Sequence, residues 1–284
     1  MNKKFIQFVS DIHLEFYKKS FPTITPIHDN CYLALLGDIG YPFQPLYEKF
    51  LAHHSPLFKE ILLIAGNHEY YSSKNKQYTI TAINEKIYEI CKKYPNITYL
   101  NNSSHVIGNT LFFGTTLWTN VQNTTVAAET MNDYSNIYVD SNHERDYFSY
   151  KSTSMSFGGT LKKTRIKKGR RALSPFDVRE FHLNAVESIK ETLIDKNHDI
   201  TILSHHAPSF KLLKDSKAFL TDCYASDLED FMTDGSNTVT TWLFGHLHHN
   251  VDLEIGYVRC VSNCMGYVNE KCEDFDEKRG IEFD

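Results

Sequence analysis

Five short apolar runs in this chain stop abruptly at glycine or serine, and each is followed at once by aspartate, asparagine or histidine. Residues 5–9 lead into Ser10-Asp11-Ile12-His13, and residues 32–36 into Gly37-Asp38. Residues 61–65 lead into Gly66-Asn67-His68-Glu69, residues 200–203 into Ser204-His205-His206, and residues 240–244 into Gly245-His246-Leu247-His248. Such runs read as buried strands that deliver polar side chains to the carboxyl edge of a sheet, where open α/β folds place their ligands. Gly66 lets the backbone turn tightly or approach a bound group.

The stretches between these runs supply the helices. Residues 45–54 carry Pro45 at a tolerated first-turn position, with Leu46, Phe50 and Leu51 on one side. Ile80, Ile83, Ile87 and Ile90 recur at helical spacing over 79–94, and Pro95 stops the run. Ser174-Pro175-Phe176-Asp177 is a capping box that opens a helix with Val178, Phe181, Ala185, Ile189 and Leu193 on one face. A shorter helix is expected over 226–232. Short β segments are expected at 97–100, 105–107 and 111–114, the last two joined at Gly108-Asn109. A hairpin around Gly256 is expected to join 251–255 to 257–262.

Between 118 and 173 no apolar period persists, and 162–171 holds seven basic residues in ten. This reads as an irregular insertion, either a solvated loop or a basic lid over an anionic substrate. No internal repeat or linker argues for a second domain, so residues 1–284 are expected to form one domain with 118–173 as an insertion within it.

A net charge of −5 gives no global attraction to nucleic acid or anionic membrane. The six cysteines are scattered, which does not suggest a disulfide framework, and Cys260, Cys264 and Cys272 fit no zinc spacing. The apolar run at 5–9 is too short for a signal peptide and Asp11 interrupts it; no run is long enough to span a bilayer. The expectation is a cytoplasmic protein with no membrane partner, its oligomeric state open.

The strand ends together supply Asp11, His13, Asp38, Asn67, His205, His246 and His248. Imidazoles mixed with carboxylates and one amide suit manganese, iron or zinc better than calcium or magnesium. The donors are too many for one tetrahedral ion and enough for two if a carboxylate is shared. Asp38, at a strand end between the others, is the natural bridge. On extended backbone Asp11 and His13 would point to the same side. The same would hold for His246 and His248, although an irregular loop could aim them at different ions. Two carboxylates and two divalent ions leave a positive surplus that would attract a phosphate.

These five ordered blocks, spanning residues 11–248, resemble those of the calcineurin-like metallophosphoesterases. The resemblance implies an α/β fold, a four-layer α-β-β-α sandwich of two mixed sheets flanked by helices. It assigns Asp11, His13, Asp38 and His248 to one metal, and Asp38, Asn67, His205 and His246 to the other. His68 is then the catalytic histidine beside the substrate phosphate, stabilising or protonating the leaving oxygen. His205 is preferred over the adjacent His206 as the ligand. Asn263-Cys264-Met265-Gly266-Tyr267 and Asn132-Asp133-Tyr134 resemble elements of one bacterial subgroup, with Cys264 in place of a proline. Tyr70 and Tyr71 follow the third block closely enough to line the site.

The function implied is a dinuclear metal-dependent phosphoester hydrolase, a metallophosphoesterase acting as a phosphatase or phosphodiesterase. A metal-bridging hydroxide would attack phosphorus in line, and Asp38 and His68 are its central catalytic residues. The alternatives are a nuclease that grips a nucleic-acid backbone with the basic insertion, and a non-catalytic scaffold of the same fold. A small phosphoester substrate is favoured over nucleic acid.

Overall fold

The computed structural model describes residues 4–72, 77–141, 148–150, 161–163, 169–214, 220–236, 238–270 and 272–284. In chain order the elements are β1 (Lys4–Val9), β2 (Cys31–Leu36), α1 (Pro45–His54), β3 (Ile61–Ile64), α2 (Ile80–Cys91), β4 (Ile97–Tyr99), β5 (Ser103–Ile107) and β6 (Thr110–Thr115). Then follow α3 (Thr124–Thr130), α4 (Asp133–Asn136), β7 (Tyr138–Ser141), β8 (Phe148–Tyr150), β9 (Leu161–Lys163), β10 (Gly169–Ala172) and α5 (Pro175–Thr192). The last are β11 (Asp199–Ser204), α6 (Thr221–Tyr224), α7 (Asp230–Thr233), β12 (Val239–Phe244), β13 (Asp252–Ile255), β14 (Val258–Ser262) and β15 (Gly280–Phe283).

Two large sheets result. One has the order β15-β1-β2-β3-β4 and the other β13-β14-β12-β11-β6-β5. Both are mixed: β1 to β4 are parallel while β15 runs against β1, and β6, β11, β12 and β14 are parallel with antiparallel β5 and β13 at the edges. Strand periodicity sorts the side chains. Ile6, Phe8, Tyr32, Ala34, Leu36, Leu62 and Ile64 of the first sheet meet Phe112, Leu203, Leu243 and Val261 of the second in a core between the sheets. The alternate residues Val9, Leu33, Leu35 and Leu63 face outward, where Phe50 and Leu51 of α1 and Ile83, Ile87 and Ile90 of α2 cover them. On the far side, Ile200, Ile202, Trp242 and Phe244 pack under Ala185 and Ile189 of α5. That is the four-layer α-β-β-α sandwich, and it explains why β2 reads as an unbroken apolar run: it is buried on both faces.

The capping box at Ser174 forms as the sequence indicates, with the Ser174 side chain accepting from the Asp177 N–H and the Asp177 carboxylate accepting from the Ser174 N–H. Several elements differ from expectation. The segment 118–173 is not wholly irregular, since it holds α3, α4 and a ribbon in which β10 pairs antiparallel with β7. β7 and β10 are short and have few buried positions, so they carry no apolar alternation. The helix expected over 226–232 contracts to α7, and α6 precedes it. Strand β15 was not anticipated. Most of the basic stretch 162–171 lies outside the described side chains; of those described, Arg171 pairs with Asp177 at 2.5 Å and Arg170 donates to the Gln77 carbonyl at 3.2 Å. All six cysteines are free. Among the described residues no helix is long and apolar enough to cross a membrane.

Candidate metal centre

The seven strand-end residues converge where the carboxyl ends of both sheets meet. Asp11, His13 and His248 form one group whose ligand atoms lie within 4.8 Å of one another, and Asp38, His205 and His246 form a second. Each group takes side chains from both sheets. Asp38 stands between them, its Oδ2 3.9 Å from His13 Nε2 and 3.4 Å from His205 Nε2. Asn67 Oδ1 joins the second group, 3.1 Å from His205 Nε2.

Backbone conformation, rather than strand geometry, produces this convergence. Asp11, His13, Asp38, His246 and His248 all have φ between 51° and 70°. Of the ten described non-glycine residues with positive φ, these are half, so the left-handed backbone is concentrated at the site. Such residues cost on the order of 1–3 kcal/mol each and persist where surrounding structure holds them. The expectation that Asp11 and His13 share a side through extended backbone is therefore corrected: β1 ends at Val9, and both residues turn in left-handed loops beyond it. The loop at 246–248 likewise sends His246 to one group and His248 to the other.

The turns approach so closely that only glycine fits. A Cβ on Gly37, at φ +84°, would lie 2.6 Å from His205 Nδ1, and one on Gly66 would overlap the Asp38 carboxylate. Glu69 ties these turns together. Its carboxylate accepts from the backbone N–H groups of Asp38 (2.8 Å), Ile39 (2.7 Å), Gly40 (3.3 Å) and Gly66 (2.7 Å). Burial and the Asp38 carboxylate push the Glu69 carboxyl up to about 8, whereas its four N–H donors favour the ionised form.

Further carboxylates and carbonyls fix the orientation of the imidazoles. Glu15 Oε1 accepts from His13 Nδ1 at 3.1 Å and from His68 Nδ1 at 2.9 Å. Glu270 Oε2 accepts from His248 Nδ1 at 2.5 Å, and the Leu36 carbonyl accepts from His205 Nδ1 at 2.9 Å. Asp133 accepts from Asn67 Nδ2 at 2.9 Å, which leaves the amide oxygen facing His205. With their Nδ1 atoms engaged in this way, the Nε2 atoms of His13, His205 and His248 are turned to the site, where each can carry a proton or bind a cation.

That arrangement calls for a cation. His13 Nε2 and His248 Nε2 face each other at 3.1 Å, so a proton or a cation must lie between them. Asp11 Oδ1 and His246 Nε2 are buried with no hydrogen-bond partner. Burial disfavours the imidazolium of His248, yet Asp11 and Glu270 outweigh it and raise the ring to about 9. Asp38 and Asp11 likewise overcome burial at His205 and raise it to about 10. The carboxylates thus draw positive charge into the site. Divalent ions suit it, since they would satisfy the orphaned oxygen and nitrogen that protons leave unpaired.

His68 lies beside the two groups. Its N–H donates to Asp38 Oδ1 at 2.7 Å, and its ring stacks on Tyr71 at 4.2 Å. Burial lowers its basicity, but the Asp38 and Glu15 carboxylates outweigh that and raise its pKa. His206 is in neither group; its Nδ1 donates to the Thr116 carbonyl at 3.1 Å while its ring packs 4.2 Å from that of His246. Tyr71 lines the cavity above the site with Tyr267 and Tyr224. Tyr70 does not; it is buried against Trp118 and bonded to Asn84. Sequence reasoning missed Glu15, Glu69 and Glu270. A single glutamate has no spacing signature, although Glu15 and Glu69 each lie within two residues of a named histidine.

An uncharacterized protein of Acanthamoeba polyphaga mimivirus is 28% identical over 286 residues, covering 94% of this chain and 93% of that protein. The crystal structure of phosphopantetheinyl hydrolase from Mycobacterium tuberculosis superimposes with a TM-score of 0.63 at 13% identity, covering 93% of this chain and 90% of that one, which is a likeness of fold. Residues 6–250 match the calcineurin-like phosphoesterase family, a span that holds every strand-end block and both ligand groups. The chain belongs to the calcineurin-like phosphoesterase family.

Proposed function

We propose that this chain is a dinuclear metal-dependent phosphoester hydrolase, acting on a phosphomonoester or phosphodiester. The observation that carries the reading is the pair of buried ligand groups that meet at Asp38, with Nε2 atoms and orphaned donor atoms turned inward. Asp11, His13, Asp38 and His248 would hold one ion, and Asp38, Asn67, His205 and His246 the other. Two ions of manganese, iron or zinc would supply positive charge for the phosphoryl oxygens and lower the pKa of a water nucleophile.

The chain's own residues do the rest. Glu15 holds the His68 ring by Nδ1, and the Asp38 carboxylate fixes its backbone, so the ring is set beside the site. In this reading His68 donates a proton to the leaving oxygen, a role that its Nδ1 bond to Glu15 and its place beside Asp38 support. Asp133 orients Asn67, and Glu270 orients His248. The same reading keeps residues 1–284 as one catalytic domain with 118–173 as its insertion. Six free cysteines support a reducing compartment such as the cytoplasm.

The test is hydrolysis of bis-p-nitrophenyl phosphate and p-nitrophenyl phosphate by metal-stripped protein refilled with manganese, iron, nickel or zinc. Turnover restored by metal is the expected result, and the ratio of the two rates separates diester from monoester work. Two bound ions with no turnover on either substrate would move the reading to a scaffold.

A further inference from the structure

The cavity above the ligand groups has a volume of about 280 Å³ and an uneven wall. On one side Tyr267 lies over the ligands, its ring 4.4 Å from that of His13 and 4.6 Å from that of His248. Phe16 meets Tyr267 edge to face at 5.4 Å. The pair is not core: Phe16 is 54% exposed and Tyr267 38%. Exposed aromatic faces that continue a polar cavity mark a place where a ligand's apolar part is expected to lie. Apart from the carboxylates and histidines, the rest of the lining is polar or apolar and neutral. Asp133 and Glu270 are among those carboxylates, and among the described lining residues there is no lysine or arginine.

We propose that the site takes a phosphoester with a single phosphoryl group whose alcohol carries a planar aromatic ring, and that this ring rests on Tyr267 and Phe16. The inference rests on the hydrolase reading above and names the substrate class for it. The platform lies on the side of His68, whose ring is 4.5 Å from His13 and 6.2 Å from Tyr267, so it faces the group that leaves. Glu270 accepts from the Tyr267 N–H at 3.1 Å as well as from His248, which holds platform and ligand in one frame. A second phosphate on the substrate would meet the Glu270 and Asp133 carboxylates, and no lysine or arginine is among the described residues that line this cavity. Chains of phosphates are therefore turned away.

The experiment is calorimetric binding to metal-loaded protein of inorganic phosphate, benzyl phosphate, cyclohexylmethyl phosphate, adenosine 5′-monophosphate and adenosine 5′-diphosphate. Benzyl phosphate should bind on the order of tenfold more tightly than its saturated counterpart, as stacking on one aromatic face allows. In Phe16→Ala that preference should fall to about twofold or less while the affinity for inorganic phosphate is retained. The monophosphate should bind more tightly than the diphosphate. A monophosphate that binds more tightly than benzyl phosphate identifies the ring as a nucleobase, and the reverse order a simple aryl group. Equal binding of the benzyl and cyclohexylmethyl esters, or a preference that survives Phe16→Ala, would overturn the platform. Tighter binding of the diphosphate would overturn the single-phosphoryl assignment. Failure of the hydrolase reading looks different: no phosphate binding and no turnover with any metal.

Discussion

Glu69→Gln is the sharpest perturbation of the frame that holds the ligands. The carboxylate serves four backbone N–H groups, Oε1 those of Ile39 and Gly40, and Oε2 those of Asp38 and Gly66. Glutamine keeps one oxygen and sets an NH2 group against two of the four donors. Leaving a buried donor unpaired costs about 1–3 kcal/mol, so two cost about 2–6 kcal/mol. That is a large share of the roughly 5–15 kcal/mol that holds a typical domain together. Urea unfolding of wild type and variant should be compared at about pH 7: because the Glu69 pKa is raised to about 8, ionising it costs wild-type stability as pH rises through that value, so the variant's deficit should be larger below pH 8 than above it. The variant should lose at least ~2 kcal/mol and bind metal more weakly, because the turn carrying Asp38 loses its anchor. A loss below about 0.5 kcal/mol at pH 7 would refute the reasoning, since it would mean that the four donors do not depend on having two carboxyl oxygens to bind.

Three further perturbations separate the roles of neighbouring residues. Asp38→Asn should lose metal and activity together, and full metal occupancy by elemental analysis would contradict a bridging role. His68→Ala should keep both metals while turnover falls by about 10²–10⁴, most for poor leaving groups; loss of metal would show that His68 is a ligand. His54 is buried, donating through Nδ1 to the Phe50 carbonyl and accepting through Nε2 from the Ile24 N–H, and burial lowers its pKa from 6.5 to about 4. The unfolded chain therefore binds the proton first as pH falls, and about 3 kcal/mol of stability present above pH 6.5 should be lost by about pH 4. His54→Gln should flatten that part of the stability profile measured by urea unfolding, and an unchanged slope would rule His54 out as its source.

How much of this was legible depended on which physics left a mark in the sequence. Strands buried on both faces write themselves as apolar runs, so β1, β2, β3, β11 and β12 were readable to within a residue. The cluster of strand-end residues was readable because the same polar ending recurs five times. What holds the ligands was not. The left-handed backbone at Asp11, His13 and Asp38 has no glycine to announce it, and side chains that look collinear on a strand are in fact turned by loops. Glu69 acts through backbone N–H groups contributed by Asp38, Ile39 and Gly40, about thirty residues away in sequence, and no local pattern encodes that. Strand β15 shows why short edges escape notice: only Ile281 and Phe283 turn inward, too few for a period to be counted.

Because both ligand groups draw on both sheets, the site is a seam across the middle of the molecule. Sliding one sheet over the other would pull Asp11 and His13 from His248, and Asp38 from His205 and His246, in a single movement. A relative shift of the two sheets would therefore disperse both groups together. At the rim, Tyr267 and the 130–133 stretch of the insertion border the cavity. Variation in that border can retune which molecules enter and how long they stay while the seam beneath remains unchanged.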